Sequence, residues 1–425
     1  MNRRDFLARS IATGLAGLST QGARLFAADN SGYAGELLVT LQAGGAWDVA
    51  SYCDPKENQP GEMEITSWSR TNSAQIAGNI PYAPIANNQT FFEKYHPDML
   101  VINGIDAQTN SHTTGVLHNW SGRNSPGYPS LTALFAANQA PDLPISYINF
   151  GGFSATADLI RFSRLDNLYA LRRILNPLQS PGNPALTDRD PADIARLNRY
   201  RQARLQRIAE GSNYQRANLD AMSAALKSRS GLVDLKNFLP EQLAENEQVN
   251  QETSSSLRRQ IGLTLAAFSS GLCCASDLSI SGFDTHQNHD ALHQPLLSHL
   301  NESIDFLWTE AEALGFADRL TVIIGSDFSR TPFYNSDIGK DHWPIGSTIV
   351  MRKDAPWANR VVGLTDEGQN AIKISPETLA ADESGTFVYP KHVHQGLRTL
   401  MGLDDIAVSA GLAFNNAEHF DFFGA

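Results

Sequence analysis

Leu320-Thr321-Val322-Ile323-Ile324-Gly325-Ser326-Asp327 decides how this chain is read. An unbroken apolar and β-branched run marks a strand covered on both faces, and Gly325 and Ser326 end it just before a carboxylate. The pattern recurs. Leu37 to Leu41 runs into Gly44-Gly45 and then Asp48, and Leu278 to Ile280 runs into Asp284-Thr285-His286. Asp341-His342 reads the same way, as a polar pair following a buried strand. In an open α/β sheet, ligands collect beyond the carboxyl ends of the strands. Carboxylates and imidazoles delivered there by several strands need a cation, a substrate or both to neutralise them, so the chain predicts a metal-centred site.

Other strand candidates are Met99 to Ile102, Ile145 to Phe150 and Thr348 to Met351, with weaker ones at Val361 to Leu364 and Thr386 to Tyr389. Helical stretches lie between them. Leu296, Leu300, Ile304, Leu307 and Ala311 share one face of a helix from about Gln294 to Leu314, stopped at Gly315. Pro191 to Arg229 reads as one or two long surface helices, and Leu239 to Leu272 continues the helical signal, with Cys273 and Cys274 at its apolar end. The expected fold is α/β, a mainly parallel sheet with helices on both faces. It would occupy residues 29–425, with a helical insertion or cap over 160–275.

Arg3-Arg4 stand ahead of a short apolar run, Ile11 to Leu18, and Leu25-Phe26-Ala27-Ala28 offers a cleavage site. Residues 1–28 therefore resemble a bacterial twin-arginine export signal, which implies a periplasmic or secreted protein. The run is too short and too weakly apolar to span a bilayer, and no later segment resembles a span. A formal charge of −12 leaves no basic patch for nucleic acid or anionic lipid. Three cysteines make no disulfide framework, and core packing is the expected role of Cys53, Cys273 and Cys274.

Asp284 and His286, two apart in an extended segment, point the same way and can converge on one ion. Asp327 sits at a strand end, and Arg330 beyond it is a candidate oxyanion clamp or a loop-fixing partner for an acid. Asp48 reads equally as a ligand or as a cap, while His342 adds an imidazole as the last of the set. Ser111-His112-Thr113 lies between a strand and a helix, where a hydroxyl can cap the helix or, beside a metal, attack an ester.

Taken in order, Gly44-Gly45…Asp48, Ser111-His112…Trp120, Gly282-Phe283-Asp284-Thr285-His286, Ser326-Asp327-Phe328-Ser329-Arg330-Thr331, Asp341-His342 and the closing Val393…Leu397…Leu400-Met401-Gly402-Leu403 resemble the bacterial DUF1501 family. That family is similar in fold to the alkaline phosphatase and sulfatase superfamily. The resemblance implies Asp48, Asp284, His286, Asp327 and His342 as metal ligands, and Ser111, or Thr113 in the other register, as nucleophile. His112 would then shuttle protons and Arg330 stabilise the transferred group. The chain departs from the family in having Asp327 where Glu is usual, one methylene shorter, and Trp343, an indole expected to crowd the site.

The implied function is an exported metal-dependent hydrolase of a phosphate or sulfate ester, on a small molecule or a polysaccharide, using Zn, Mg, Ca or Mn. The alternative is a non-catalytic exported binding or assembly protein with a structural ion, meeting a protein partner through the helical insertion. Closure of Trp47, Trp343 and the insertion over the acids would favour that alternative.

Overall fold

The computed structural model describes residues 32–165, 190–209, 235, 237–239, 244–415 and 417–424. The expected export signal and, within the 160–275 insertion, residues 166–189, 210–234, 236 and 240–243 lie outside these residues.

An eight-stranded sheet carries the chain. Its strands are β1 (Leu37–Gly44), β2 (Met99–Asp106), β3 (Tyr147–Asn149), β4 (Phe162–Arg164), β5 (Ala275–Ser281), β6 (Leu320–Ser326), β7 (Ile345–Arg352) and β8 (Arg360–Val362). Their order across the sheet is β8-β2-β7-β6-β1-β5-β3-β4. Every neighbouring pair is parallel except those made by β7, which runs against both β6 and β2. Every residue of β6 is buried, and so are all but the last of β1, as the unbroken apolar runs require.

The helices are α1 (Asn88–Tyr95), α2 (His112–Ser121), α3 (Leu131–Gln139), α4 (Pro191–Ala209), α5 (Leu257–Ser269), α6 (His289–Ala313), α7 (Pro390–Leu400) and α8 (Asp404–Ser409). They cover both faces. On β5, Ser276 bonds Thr264 of α5 at 2.8 Å. Its neighbour Asp277 faces the other way and bonds Thr40 at 2.6 Å, and Thr40 in turn meets Thr132 of α3 at 3.3 Å. Consecutive strand residues point to opposite faces, so α3 and α5 lie on opposite sides. No helix among the described residues is long and apolar enough to cross a membrane.

Four expectations need correcting. Thr386 to Tyr389 forms only isolated bridges, Ile105 with Val388 and Ile374 with Thr386. Leu239 to Leu272 is not one helix, because Glu247–Gln248 pairs with Ser254–Ser255 around a turn. There the Asn250 side chain takes the amides of Glu252 and Thr253 at 2.9 and 2.8 Å, a local alternative to helix. Cys273 and Cys274 lie past the end of α5, just before β5, and with Cys53 they are free and buried. Asp341-His342 precedes a strand rather than following one. Since β7 is antiparallel, its beginning lies at the carboxyl edge of its neighbours, and the pair reaches the common edge from the opposite direction.

Candidate metal centre

The loops after β1, β2, β5 and β6 and the one before β7 meet over the middle of the sheet, at the edge where ligands are expected. Close backbone approach allows it. Gly45 has φ +110°, and a Cβ there would lie 2.5 Å from the Asp284 nitrogen. At Gly339 a Cβ would fall 1.8 Å from the His286 carbonyl oxygen.

Asp284 and His286 do point the same way. The Asp284 Oδ1 lies 3.1 Å from His286 Nε2 and 3.2 Å from His342 Nε2, and the two Nε2 atoms are 3.0 Å apart. On the other side of the carboxylate, Oδ2 is 3.4 Å from His112 Nε2. Two ligands on a tetrahedral ion with bonds near 2.0–2.1 Å would be separated by about 3.3 Å. The spacing is compatible with a metal-binding group.

Outer partners orient each ring. His286 Nδ1 donates to Asp341 Oδ1 at 2.8 Å, His342 Nδ1 to the Asn110 carbonyl at 2.8 Å, and His112 Nδ1 to Asp327 Oδ2. All three partners accept only, so Nδ1 of each ring carries a proton and Nε2 is the atom turned towards Asp284. The His112 Nε2 is buried with no hydrogen-bond partner. Three imidazole Nε2 atoms and a carboxylate thus converge, a donor set that could hold a cation. One wall is apolar, with Phe328 stacked on His112 at 4.9 Å and against His342 at 4.9 Å.

Asp327 is placed behind His112 rather than among the ligand atoms. It is buried, its Oδ1 accepting from the amides of Gly45 at 3.2 Å and Ala46 at 2.8 Å and from the Ser326 hydroxyl at 2.8 Å. Burial pushes its carboxyl up, but the His112 and Ser326 hydrogen bonds outweigh this and hold it below the ordinary range. The same bond from Asp327 is the main cause raising the His112 imidazole.

Arg330 lies wholly buried beneath Asp284. Nε donates to the Ala46 carbonyl at 2.9 Å and Nη1 to the Lys340 carbonyl at 3.0 Å, while Nη2 donates to the Gly45 carbonyl and to Asp284. With Nη1 also 3.4 Å from His286 Nε2, its fork is taken up inside the protein. It positions Asp284 and is not free to clamp a transferred group. Burial pushes the Asp284 carboxyl up, yet the Arg330 bond and charge bring it down to about 2.

Asp48 belongs to a separate buried network. Its Oδ2 meets Lys340 Nζ at 2.8 Å, Ser51 Oγ at 2.7 Å and His289 Nε2 at 3.0 Å, and its Oδ1 accepts the Ala50 amide at 3.1 Å. It caps the short helix Val49–Ser51, which is the capping role open to it from sequence, and both of its oxygens are held by donors. Thr285, turned inward between the outward Asp284 and His286, bridges His289 Nδ1 at 2.7 Å and His293 Nδ1 at 3.1 Å. That stacked histidine pair was not assigned from sequence.

Ser111 and Thr113 are exposed, and no hydrogen bond among the described residues joins either hydroxyl to the cluster. Trp343 does not crowd it. Next to His342 on a short strand, it turns away and donates to the Gln369 carbonyl at 2.8 Å. Trp47 is buried against Tyr52, with ring centroids 5.4 Å apart. Beside Asp284 and His112 a cavity of about 540 Å³ stays open. Asp341 and the Asn110 carbonyl were not assigned from sequence as orienting groups; the one available signal was an acid directly ahead of His342.

Solved structures with a distantly similar arrangement include Ps i-CgsB in complex with k-i-k-neocarrahexaose (8% identity, TM-score 0.40, covering 92% of this chain and 76% of that one). The PsFucS1 sulfatase from Pseudoalteromonas sp. shares 9% identity at TM-score 0.38, over 98% of this chain and 75% of its own. The phosphonate monoester hydrolase of Agrobacterium radiobacter shares 10% at TM-score 0.37, over 90% and 78%. Likenesses this distant carry no inference about activity. No curated protein matches the chain in sequence. Residues 174–405, more than half of the chain, match the family described as protein of unknown function (DUF1501), and the chain belongs to that family.

Proposed function

We propose that this chain is a metal-dependent ester hydrolase whose ion is held by His112, Asp284 and His342, with His286 alongside. The observation that carries the reading is the convergence of imidazole Nε2 atoms on one carboxylate, each ring locked by an acceptor behind it. A donor set rich in imidazole suits zinc, or manganese, better than magnesium or calcium, which favour all-oxygen shells. When bound, such an ion supplies Lewis acidity and a lowered water pKa.

The residues around it have distinct tasks. Asp327, Asp341 and the Asn110 carbonyl hold the rings, Arg330 holds Asp284, and Phe328 keeps water from one side. The ester class, phosphate or sulfate, comes from the motif resemblance and not from the cluster geometry. Export through the twin-arginine route and a cap within 160–275 belong to the same proposal, supported by the paired arginines and by the helix Pro191–Ala209.

The test is turnover of aryl phosphate and aryl sulfate by the metal-loaded protein. Activity lost on chelation and in Asp284→Ala supports the reading; activity indifferent to both sinks it. Ser111→Ala and Thr113→Ala, compared at equal metal content, separate a hydroxyl nucleophile from attack by water, since loss of a nucleophile costs more than about 10³-fold.

One observation favours the non-catalytic alternative. Arg330 and Lys340 already neutralise Asp284 and Asp48 from within. A protein that holds an ion but hydrolyses neither ester class would fit that reading.

A further inference from the structure

The 540 Å³ cavity beside the cluster is built unlike the cluster itself. It opens where the sheet loses a strand. β3 stops at Asn149, and among the described residues no strand pairs with that edge of β5 beyond Asp277. Gln260 of α5 stands in, accepting the Ser279 amide at 2.8 Å and donating to the Ser279 carbonyl at 2.8 Å. That leaves a hollow floored by the ends of β1 and β5.

Hydroxyls and amides line it. Ser254, Ser256, Ser279 and Ser281 face the space, with Phe150 and Val116 as an apolar wall. Among the described residues, its titratable side chains are His112, Asp284 and Asp327, at the end shared with the candidate metal centre. No lysine or arginine among the described residues contributes to the lining.

Gln42 is the decisive residue. It is 6% exposed, at the end of an otherwise apolar strand, and it lines this cavity. The indole N–H of Trp120 donates to its Oε1. Because an indole can only donate, that contact fixes the amide orientation, and Nε2 is left buried with no partner. A buried N–H₂ without an acceptor costs free energy that a ligand oxygen would recover.

We propose that this cavity binds the neutral, hydroxyl-rich part of the substrate, a saccharide or polyol, with Gln42 Nε2 donating to one of its oxygens. The proposal rests on the hydrolase reading of the adjacent cluster, since it places the ester-bearing end of that ligand at His112 and Asp284. Serine hydroxyls both give and accept, as sugar hydroxyls do, and an aromatic wall suits the C–H face of a sugar ring. Away from the metal end, the described lining offers no cation to match a ligand carrying several negative charges.

Calorimetric titration of the full mature chain tests this. The probes are neutral oligosaccharides (gluco-, manno- and galacto-configured trimers), myo-inositol, a trimer containing uronic acid, and ADP. We expect a neutral probe to bind, with saccharide and inositol arms telling the two sources apart. Gln42→Met should weaken it about 3- to 10-fold, the worth of one hydrogen bond. Ser254 and Ser281 are exposed, so the double variant Ser254→Ala/Ser281→Ala serves where Gln42→Met perturbs the fold, and it too should weaken binding.

Tighter binding of the uronic-acid trimer or ADP, no binding of any neutral probe, or neutral binding unchanged in both variants would overturn the proposal. The two readings fail separately. Without hydrolase activity, Gln42-dependent sugar binding would persist in protein that turns over no ester. Without the sugar site, aryl esters would still turn over while neutral probes failed to bind.

Discussion

Two clusters of the same residue types lie within one loop of each other and behave oppositely. Asp48, Lys340, His289 and His293 are fully enclosed, and both Asp48 oxygens meet donors. Asp284, His112, His286 and His342 are partly open, and apart from Arg330 beneath them their facing atoms meet one another. Alternation along Asp284-Thr285-His286 divides them, with the threonine turned into the first cluster and its neighbours into the second. The lesson is that residue type does not identify a metal site. The balance of donors and acceptors does.

The largest effect should come from breaking the closed cluster. Lys340→Met leaves Asp48 as a buried, unpaired carboxylate, and should cost about 3–5 kcal/mol of stability in denaturant unfolding. Adding Asp48→Asn should recover part of that loss. A Lys340→Met protein as stable as the parent would mean the network is not structural.

Acid should act next, on His293 of the closed cluster and on buried histidines elsewhere in the protein. Burial holds His293 well below its ordinary pKa, and takes His299 and His392 down to about 4 and His394 to about 3. These histidines bind protons more readily when unfolded. Their contribution is therefore complete above the unfolded value near 6.5 and is lost as pH falls through and below it. Stability should drop by about 1.4 kcal/mol per pH unit for each proton taken up on unfolding, read from unfolding midpoints between pH 7 and 4. A flat profile would contradict this burial.

The open cluster should respond to its outer partners without losing its fold. Asp341 is largely exposed and holds His286, so Asp341→Asn should lower metal affinity about 10-fold while moving stability by less than about 0.5 kcal/mol. Metal titration followed by thermal unfolding separates the two. Unchanged affinity would remove His286 from the site.

How much of this could be read in advance depended on range. The strands were legible because β1, β2 and β6 are buried on both faces, and their apolar runs end at glycine or at a polar turn. Asp284 and His286 were legible from a spacing of two. Pairing across hundreds of residues was not. Nothing local shows that Asp48 meets Lys340, that Arg330 spends its fork on the carbonyls of Gly45 and Ala46, or that Asp327 stands behind His112. The shorter acid at Asp327 suits that place, where it takes two loop amides and steers a ring. Gln42 carried a signal of its own, an amide at the end of an apolar central strand, that only the cavity made meaningful.

The most direct test of the open cluster is elemental mass spectrometry of the purified protein, alongside His342→Ala and Asp284→Ala. The account predicts near-stoichiometric metal in the parent and at least a tenfold loss in both variants, each still folded. Metal absent from the parent, or retained by both variants, would contradict it.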